Sequence, residues 1–220
     1  MNCPGDVPFQ YQELKNVMRT MEAIEAIMTR RSVRKYERKQ IPDGTLEEIL
    51  RAGTYAPSAL ALQPWAFVVV QDQKFLNKVS DYCKPIMISL MKDAHDGMSD
   101  TFRALLESPG YSIYYHAPTV IMIIGRTGSR FREIDCALCA ENMMLAAHAL
   151  GLGSCWIGST EVAYDNRELM AGFEIPKGYS PVGTIVFGYP AEKPEAHDKH
   201  PAKVTWIRSH HSAAPVPAGP

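Results

Sequence analysis

Three arginines and a serine lie within one short segment, Arg30-Arg31-Ser32-Val33-Arg34. A guanidinium group presents a planar fork of N–H donors that can bind two oxygens at once, and a hydroxyl adds another donor. These side chains are therefore suited to bind a phosphate. The alternative is a solvated basic surface that stabilises the C-terminal end of the helix before it. Both interpretations fit the spacing.

The cysteines are the second group of residues that could do chemistry. The chain has 5 of them, at positions 3, 83, 136, 139 and 155, and an odd number in a chain of this length argues against a disulfide framework. Cys136 and Cys139 form a C-x-x-C pair inside a long helical pattern with no second pair. We interpret both as buried core residues and predict no metal site.

Acid–base and nucleophilic catalysis have no candidate set in this sequence. The 7 histidines share no common spacing, and no Ser-His-Asp set or carboxylate pair stands out. Two tryptophans, Trp65 and Trp156, are candidates either to stack on a ring or to pack in the core.

The composition is that of an ordinary globular protein. The chain has 220 residues, of which 46% are hydrophobic and 21% charged, and its formal net charge is -1. This predicts a single domain with no general attraction to nucleic acid or to an anionic membrane. No apolar run is long enough to cross a membrane, and the segment Met1–Gln12 lacks the features of a signal peptide, so we expect a cytoplasmic protein.

Hydrophobic periodicity and turn residues predict the elements that position these side chains. Helices are predicted at 9–28, from Thr45 to before Pro57, from an Asp72 N-cap to Tyr82, at 135–150 with Gly151 and Gly153 as C-cap glycines, and at 162–170. Strands are predicted at 66–70, 118–124, 154–157 and 182–187. The segment 84–110 is interpreted as a helical excursion or lid. The alternation predicts helical layers around one sheet, in a domain spanning 21–207 with a helical extension at 1–20 and a disordered tail at 208–220.

Two common nucleotide-binding motifs are absent. Gly151-Leu152-Gly153 has Trp156 where G-x-G-x-x-G needs its third glycine, and it follows a predicted helix and precedes a predicted strand. This excludes a Rossmann dinucleotide site. The P-loop pattern G-x-x-x-x-G-K-[ST] does not occur either.

Four segments, taken together, resemble the FMN-dependent nitroreductase family over about residues 21–206. They are Arg30-Arg31-Ser32-Val33-Arg34; Ala56-Pro57-Ser58-Ala59 with Gln63-Pro64-Trp65-Ala66-Phe67-Val68-Val69-Val70; Gly151-Leu152-Gly153-Ser154-Cys155-Trp156-Ile157-Gly158; and Gly188-Tyr189-Pro190-Ala191-Glu192-Lys193-Pro194. The resemblance implies an α+β fold with three layers, α/β/α, and a mixed sheet. It also implies an intertwined homodimer with FMN in two pockets at the dimer interface.

The resemblance further implies which residues bind the cofactor. Arg30, Ser32 and Arg34 would bind the FMN phosphate and ribityl chain, with Arg31 beside them. The remaining implied contacts are Pro57, Ser58, Ala59 and Leu60 from the partner subunit, Gln63, the strand end Cys155, Trp156, Ile157 and Gly158 near the flavin ring, and Lys199 or His200 at the phosphate.

The implied activity is transfer of a hydride from NADH or NADPH, through FMN, to a small oxidised acceptor such as a nitroaromatic or a quinone. Because the flavin carries this chemistry, the resemblance implies no catalytic side chain. Ala61 stands where many members of the family have Asn, which leaves the substrate class open. The alternatives are other chemistry of the same family, namely dehalogenation, ring dehydrogenation or fragmentation of the flavin to a benzimidazole, and a non-catalytic flavin-binding module.

Overall fold

The computed structural model describes residues 21–92 and 96–208. The predicted extension at 1–20 and nearly all of the predicted tail therefore lie outside the described residues. Of the helix predicted at 9–28, the described part is the helix Ala23–Thr29. Residues 197–208 are described and contain no regular secondary structure.

Helices and strands alternate along most of the described chain. The α-helices are α1 (Ala23–Thr29), α2 (Asp43–Thr54), α3 (Gln73–Leu90), α4 (Gly97–Glu107), α5 (Arg132–Ala149) and α6 (Arg167–Gly172). The strands are β1 (Trp65–Val70), β2 (Thr119–Arg126), β3 (Gly153–Trp156) and β4 (Tyr179–Gly188), and 3₁₀ turns occupy Ala59–Ala61 and Gly158–Ala163.

The four described strands form one sheet in the order β1-β2-β4-β3, and every neighbouring pair is antiparallel. The predicted α+β class is confirmed. The resemblance also implied a mixed sheet. In the described residues, parallel pairing is limited to one isolated bridge, between Ser32 and Ser154. The simple alternation of helices and strands did not reveal this antiparallel order, because pairing depends on contacts that are distant in sequence.

Each face of the sheet carries its own hydrophobic core. Val120, Met122 and Ile124 of β2 pack on one face with α3, whereas Ile121 and Ile123 pack on the other face with α2 and α5. This alternation follows from the two-residue repeat of a strand. Because both faces are covered by helices, the three-layer prediction is confirmed, and the continuous apolar strands are explained by burial on both sides.

Helix α3 begins where the sequence predicts and ends later. The Asp72 carboxylate accepts hydrogen bonds from the backbone N–H groups of Lys74 and Phe75, at 2.8 and 3.2 Å, so the predicted N-cap is confirmed. The predicted end at Tyr82 is wrong, because the helix passes through Pro85 and ends at Leu90. The segment interpreted as an excursion is thus the second half of α3 followed by α4.

Two smaller predictions also need correction. The helix predicted at 162–170 is a 3₁₀ turn followed by α6, whose N-cap Asn166 accepts a hydrogen bond from the Leu169 N–H at 3.1 Å. After α5, Gly151 has the left-handed φ of 77° expected of a C-cap glycine, but Gly153 belongs to β3.

Candidate functional site

The basic segment lies along the free edge of β3. The Val33 N–H donates to the Ser154 carbonyl at 3.0 Å, next to the parallel bridge between Ser32 and Ser154. Val33 also packs directly on Gly153, where a Cβ atom would lie 2.6 Å from a methyl group of Val33. The segment is therefore fixed to the sheet through both its backbone and a buried apolar contact.

A second set of backbone bonds fixes the same segment to the chain after β4. The Glu37 N–H donates to the Tyr189 carbonyl and the Ala191 N–H donates to the Lys35 carbonyl, both at 2.9 Å. Residues 30–37 therefore run between β3 and the 189–199 segment. This placement brings residues that are more than 150 positions apart in the sequence to one site.

A cavity of about 530 Å³ opens between these two segments. It is lined by Arg30, Arg31, Ser32, Arg34, Lys193, Pro194, Glu192, Glu195, His197 and Lys199. Five of these side chains are cations and two are carboxylates, and the Glu192 carboxylate pairs with Lys35 at 3.1 Å. The charge of the cavity thus favours an anion. We call it the arginine cavity.

The three arginines of the cavity have different partners. The Nε of Arg30 lies 3.6 Å from a carboxylate oxygen of Glu141 on α5. Arg31 donates from Nη1 to the carbonyls of Met28 and Arg30, both at 2.8 Å, so it caps the end of α1 as the alternative interpretation predicts. Arg34 is partly buried, and the nearby Cys155 and Tyr115 raise its pKa although burial opposes this.

Tyr115 was not predicted from the sequence. It adopts a left-handed backbone with φ 54°, which is rare for a bulky residue, and its ring meets that of Tyr111 edge to face at 6.0 Å. The cluster of tyrosines at 111, 114 and 115 is visible in the sequence, but nothing there indicates that it lies near Arg34. Tertiary folding brings Arg34 near Tyr111 and Tyr115.

Cys155 lies behind Ser32 and is buried. Burial raises the pKa of its thiol, and the nearby Arg34, Ser32 and Arg30 offset this only in part, so the thiol is protonated at neutral pH. Burial also raises the pKa of Cys83 and Cys139 to about 12 and that of Cys136 to about 11. Cys136 and Cys139 are fully buried, which confirms their assignment to the core.

The other residues predicted on β3 point in different directions. Cys155 and Ile157 pack in the core that contains α3, whereas Trp156 packs against the opposite core and covers Gly183. Trp156 is thus placed by core packing and lies outside the arginine cavity. Gly158 is exposed, and no atom of the described chain lies within 4 Å of where its Cβ would be.

The segment 57–63 is bonded to α5 near its N-terminal end, whereas Glu141 lies in the middle of that helix. The Ala59 N–H donates to Asp135 at 3.1 Å, and the Gln63 N–H donates to the Ser58 hydroxyl at 3.0 Å. Pro57, Ser58, Ala59, Leu60 and Gln63 do not line the arginine cavity of the described chain, and neither does His200. Leu60 is 92% exposed and has a left-handed φ of 52°.

Among residues 21–92 and 96–208, no group of three or more His, Cys, Asp and Glu is arranged to hold a metal ion. No helix in this part of the chain is both long and apolar enough to cross a membrane.

Comparison with known proteins gives consistent matches over most of the chain. A crystal structure of a nitroreductase with bound FMN from Bacteroides fragilis is 34% identical and has a TM-score of 0.70, covering 86% of this chain and 100% of that one. An FMN-dependent nitroreductase from Clostridium difficile is 27% identical with a TM-score of 0.70, covering 84% and 99%.

A curated protein of Methanothermobacter thermautotrophicus, provisionally named NADH dehydrogenase/NAD(P)H nitroreductase, is 32% identical over 179 residues. The match covers 81% of this chain and 82% of that protein. Residues 27–189 match the model of the Nitroreductase family. The chain therefore belongs to the nitroreductase family.

Proposed function

We propose that this protein is an FMN-dependent oxidoreductase that transfers a hydride from NADH or NADPH to flavin and reduces a small oxidised acceptor, such as a nitroaromatic or a quinone. One observation carries the proposal. Arg30, Arg31, Ser32, Arg34 and Lys199 line a single cavity in a member of a family whose solved structures include FMN-bound nitroreductases.

The residues of the arginine cavity fit the phosphate end of FMN. A terminal phosphate carries nearly two negative charges, and the cavity has an excess of cationic side chains. Arg30 pairs through its Nε with Glu141, no hydrogen bond or ion pair of the Arg34 side chain is found among the described residues, and a guanidinium has five N–H donors. Both therefore keep donors for phosphate oxygens.

When bound, FMN supplies the hydride and electron transfer steps of the reaction. The chain's own residues bind and orient it. Arg30, Ser32 and Lys199 would bind phosphate oxygens, and Arg34 would bind the phosphate or the adjoining ribityl chain. Gly158 leaves the backbone after β3 accessible to the edge of a ring, because no side chain covers it. The Cys155 thiol stays protonated and takes no nucleophilic part.

The second part of the proposal is a homodimer with shared flavin sites. The exposed Leu60 lies in a 3₁₀ turn whose Ala59 N–H donates to Asp135 near the start of α5, and Ile134 and Leu138 of the same helix are also exposed. Exposed apolar side chains in one region of a surface commonly mark a protein interface. We infer that residues 57–60 and Gln63 complete the flavin site of the partner subunit, since they lie apart from the arginine cavity of their own chain.

The acceptor is proposed by its chemical class, because Ala61 next to Leu60 offers no polar group that would select one acceptor. We also propose a cytoplasmic location for the protein.

The test is made on the purified protein. We expect a yellow protein whose flavin is released by acid and identified as FMN by chromatography. NADH or NADPH should bleach the colour under anaerobic conditions, and a nitroaromatic or quinone should restore it. Recovery of FAD, or failure to bind flavin on reconstitution, contradicts the cofactor assignment. Bound FMN that NADH and NADPH both fail to reduce indicates a non-catalytic flavin-binding module instead.

A further inference from the structure

A second cavity of about 600 Å³ adjoins the arginine cavity and shares Arg30, Arg31, Glu192, Lys193 and Pro194 with it. Its other walls come from α1, from the turn that follows α5, from β3 and from residues 190–196. Ser32 and Arg34 line only the arginine cavity, whereas Thr29, His148 and Ser154 line only the second one. We call it the α1 cavity. Its volume is in the range of small-molecule sites.

The hydroxyl of Ser154 is the first indication of a ligand. Ser154 is 2% exposed, and its Oγ has no hydrogen-bond partner among the described residues. A buried hydroxyl without a partner lowers stability, and such groups in proteins usually receive one from a ligand or a water. Because Ser154 lines the α1 cavity, a polar group bound there can satisfy it.

The polar side of the cavity favours an anion. Arg30, Arg31 and Lys193 contribute three cations against the carboxylates of Glu25 and Glu192. Glu192 is already paired with Lys35 at 3.1 Å. A hydroxyl and several guanidinium N–H groups are the donors that a carboxylate accepts from.

His148 adds a second polar group at the same wall. Its Nε2 lies 2.8 Å from the Thr29 hydroxyl. Burial, with Arg30 and Arg31 nearby, lowers the pKa of this imidazole, so it is mostly neutral at pH 7 and able to donate or accept.

The remaining walls are apolar and are formed by Val33, Leu152, Pro190 and Pro194. We propose that the α1 cavity is a second small-molecule site, distinct from the flavin site, which binds a carboxylic acid with a compact aromatic or aliphatic body. The carboxylate accepts from Ser154 and from Arg31, which leaves Arg30 to the FMN phosphate, and the body packs on the apolar wall. This inference does not rest on FMN binding, because Ser154, His148 and Thr29 lie outside the arginine cavity.

The probes are 4-fluorobenzoate, 4-fluorobenzamide and 4-fluorobenzylamine, which have the same ring and differ in the charge of the polar group. Binding is followed by fluorine NMR with the protein as purified, and again after FMN is added to saturation. We expect 4-fluorobenzoate to bind in both conditions, more tightly than the amide, and the cationic amine to bind least.

Ser154→Ala tests the position of the site. We expect it to weaken 4-fluorobenzoate binding about tenfold or more, the usual effect of losing a hydrogen bond to a charged group. Ser129→Ala is the matched control, since the Ser129 hydroxyl is also buried without a partner in the described chain but does not line the α1 cavity. Its affinity for the probe should be unchanged. Thermal unfolding of both variants shows that they are folded.

Three results overturn the proposal. The first is equal binding, or no binding, of the three probes to the folded protein. The second is an unchanged affinity for 4-fluorobenzoate in Ser154→Ala. The third is displacement of the probe by FMN, which would make the α1 cavity part of the flavin site. A protein that lacks FMN but binds 4-fluorobenzoate through Ser154 contradicts the proposed function and leaves this inference standing.

Discussion

The backbone N–H of Val33 donates to the carbonyl oxygen of Ser154 at 3.0 Å and so holds the basic segment against the edge strand of the sheet. The Val33 side chain is buried and packs against Gly153, which has no side chain to keep it away. Arg30, Ser32 and Arg34 take their positions from this attachment. Any change that separates Val33 from β3 should therefore disturb the arginine cavity before it disturbs the rest of the fold.

Gly153→Ala tests this attachment. The added methyl group would lie 2.6 to 2.9 Å from three carbons of Val33, so the basic segment must move away from β3. We expect the free energy of unfolding to fall by about 1–3 kcal/mol, as for other overpacked sites, and FMN affinity to fall with it. Urea unfolding and a flavin titration measure the two effects.

Gly44→Ala is the control for that experiment. Gly44 lies in α2, and its added Cβ would meet no atom of the described chain within 4 Å. This substitution should leave stability unchanged or raise it by up to about 1 kcal/mol, since Ala is the better helix former. If both variants unfold alike, the close contact between Val33 and Gly153 does not control the position of the segment.

Leu60→Gly tests the role of the exposed turn at the proposed dimer interface. Leu60 and Ala61 both have left-handed backbones, with φ values of 52° and 54°. Glycine at either position relieves strain of about 1–2 kcal/mol. Leu60→Gly also removes a large apolar side chain, so we expect this variant alone to dissociate more readily and to retain less FMN. Light scattering and the ratio of flavin to protein at low concentration check both expectations.

Ala61→Gly is the matched control, because it changes the backbone strain equally and removes only a methyl group. It should keep its FMN and its oligomeric state. The interface assignment is wrong if Leu60→Gly and Ala61→Gly retain the same amount of flavin and have the same molecular mass in solution.

His148 should make stability depend on pH. Burial has the largest effect and lowers the pKa of His148 below 6.5 in the folded state. The charges of Arg30 and Arg31 lower this pKa further, and Glu25 opposes them only in part. The unfolded chain then binds more protons than the folded chain between the two pKa values, so stability rises with pH in that window. We expect the unfolding free energy to fall as the pH drops below about 6.5.

His148→Gln removes the titrating group while keeping a side chain that can hydrogen-bond to Thr29. Urea unfolding of both proteins across about pH 5 to 8 should show a shallower dependence in the variant. Identical dependence would mean that other groups control stability in this range.

The sequence predicted those parts of the fold that local patterns determine. Asp72 has the side chain of an N-cap, and the apolar run at 66–70 has the pattern of a strand; both predictions are confirmed. Burial of that strand on both faces is not, because β1 lies at the edge of the sheet and Val69 is exposed. Helix α3 continues past Pro85 because a proline removes a single helical hydrogen bond, and the packing of Leu76, Val79 and Cys83 supports the helix around it.

The candidate site was predictable in part for the same reason. The basic segment is contiguous in the sequence, so its residues could be identified together, and Lys199 was found through the family resemblance. The ion pair of Arg30 with Glu141 and the position of Arg34 near Tyr115 depend on tertiary structure. No sequence pattern specifies them, and the left-handed backbone of Tyr115 has no signal in its residue type.

The most direct test of the proposed cofactor site is the affinity of Arg30→Ala for FMN, measured by titrating apo-protein and following flavin fluorescence. Arg38→Ala is the control, since Arg38 is an exposed arginine that lines a separate groove with Gln73 and His116. Loss of a charge-assisted contact with phosphate costs about 1.5–3 kcal/mol. We therefore expect Arg30→Ala to bind FMN about ten- to a hundredfold more weakly, and Arg38→Ala to bind it as the wild type does. Turnover of Arg30→Ala should be restored at saturating FMN. Equal FMN affinity in the wild type and in Arg30→Ala would contradict the assignment.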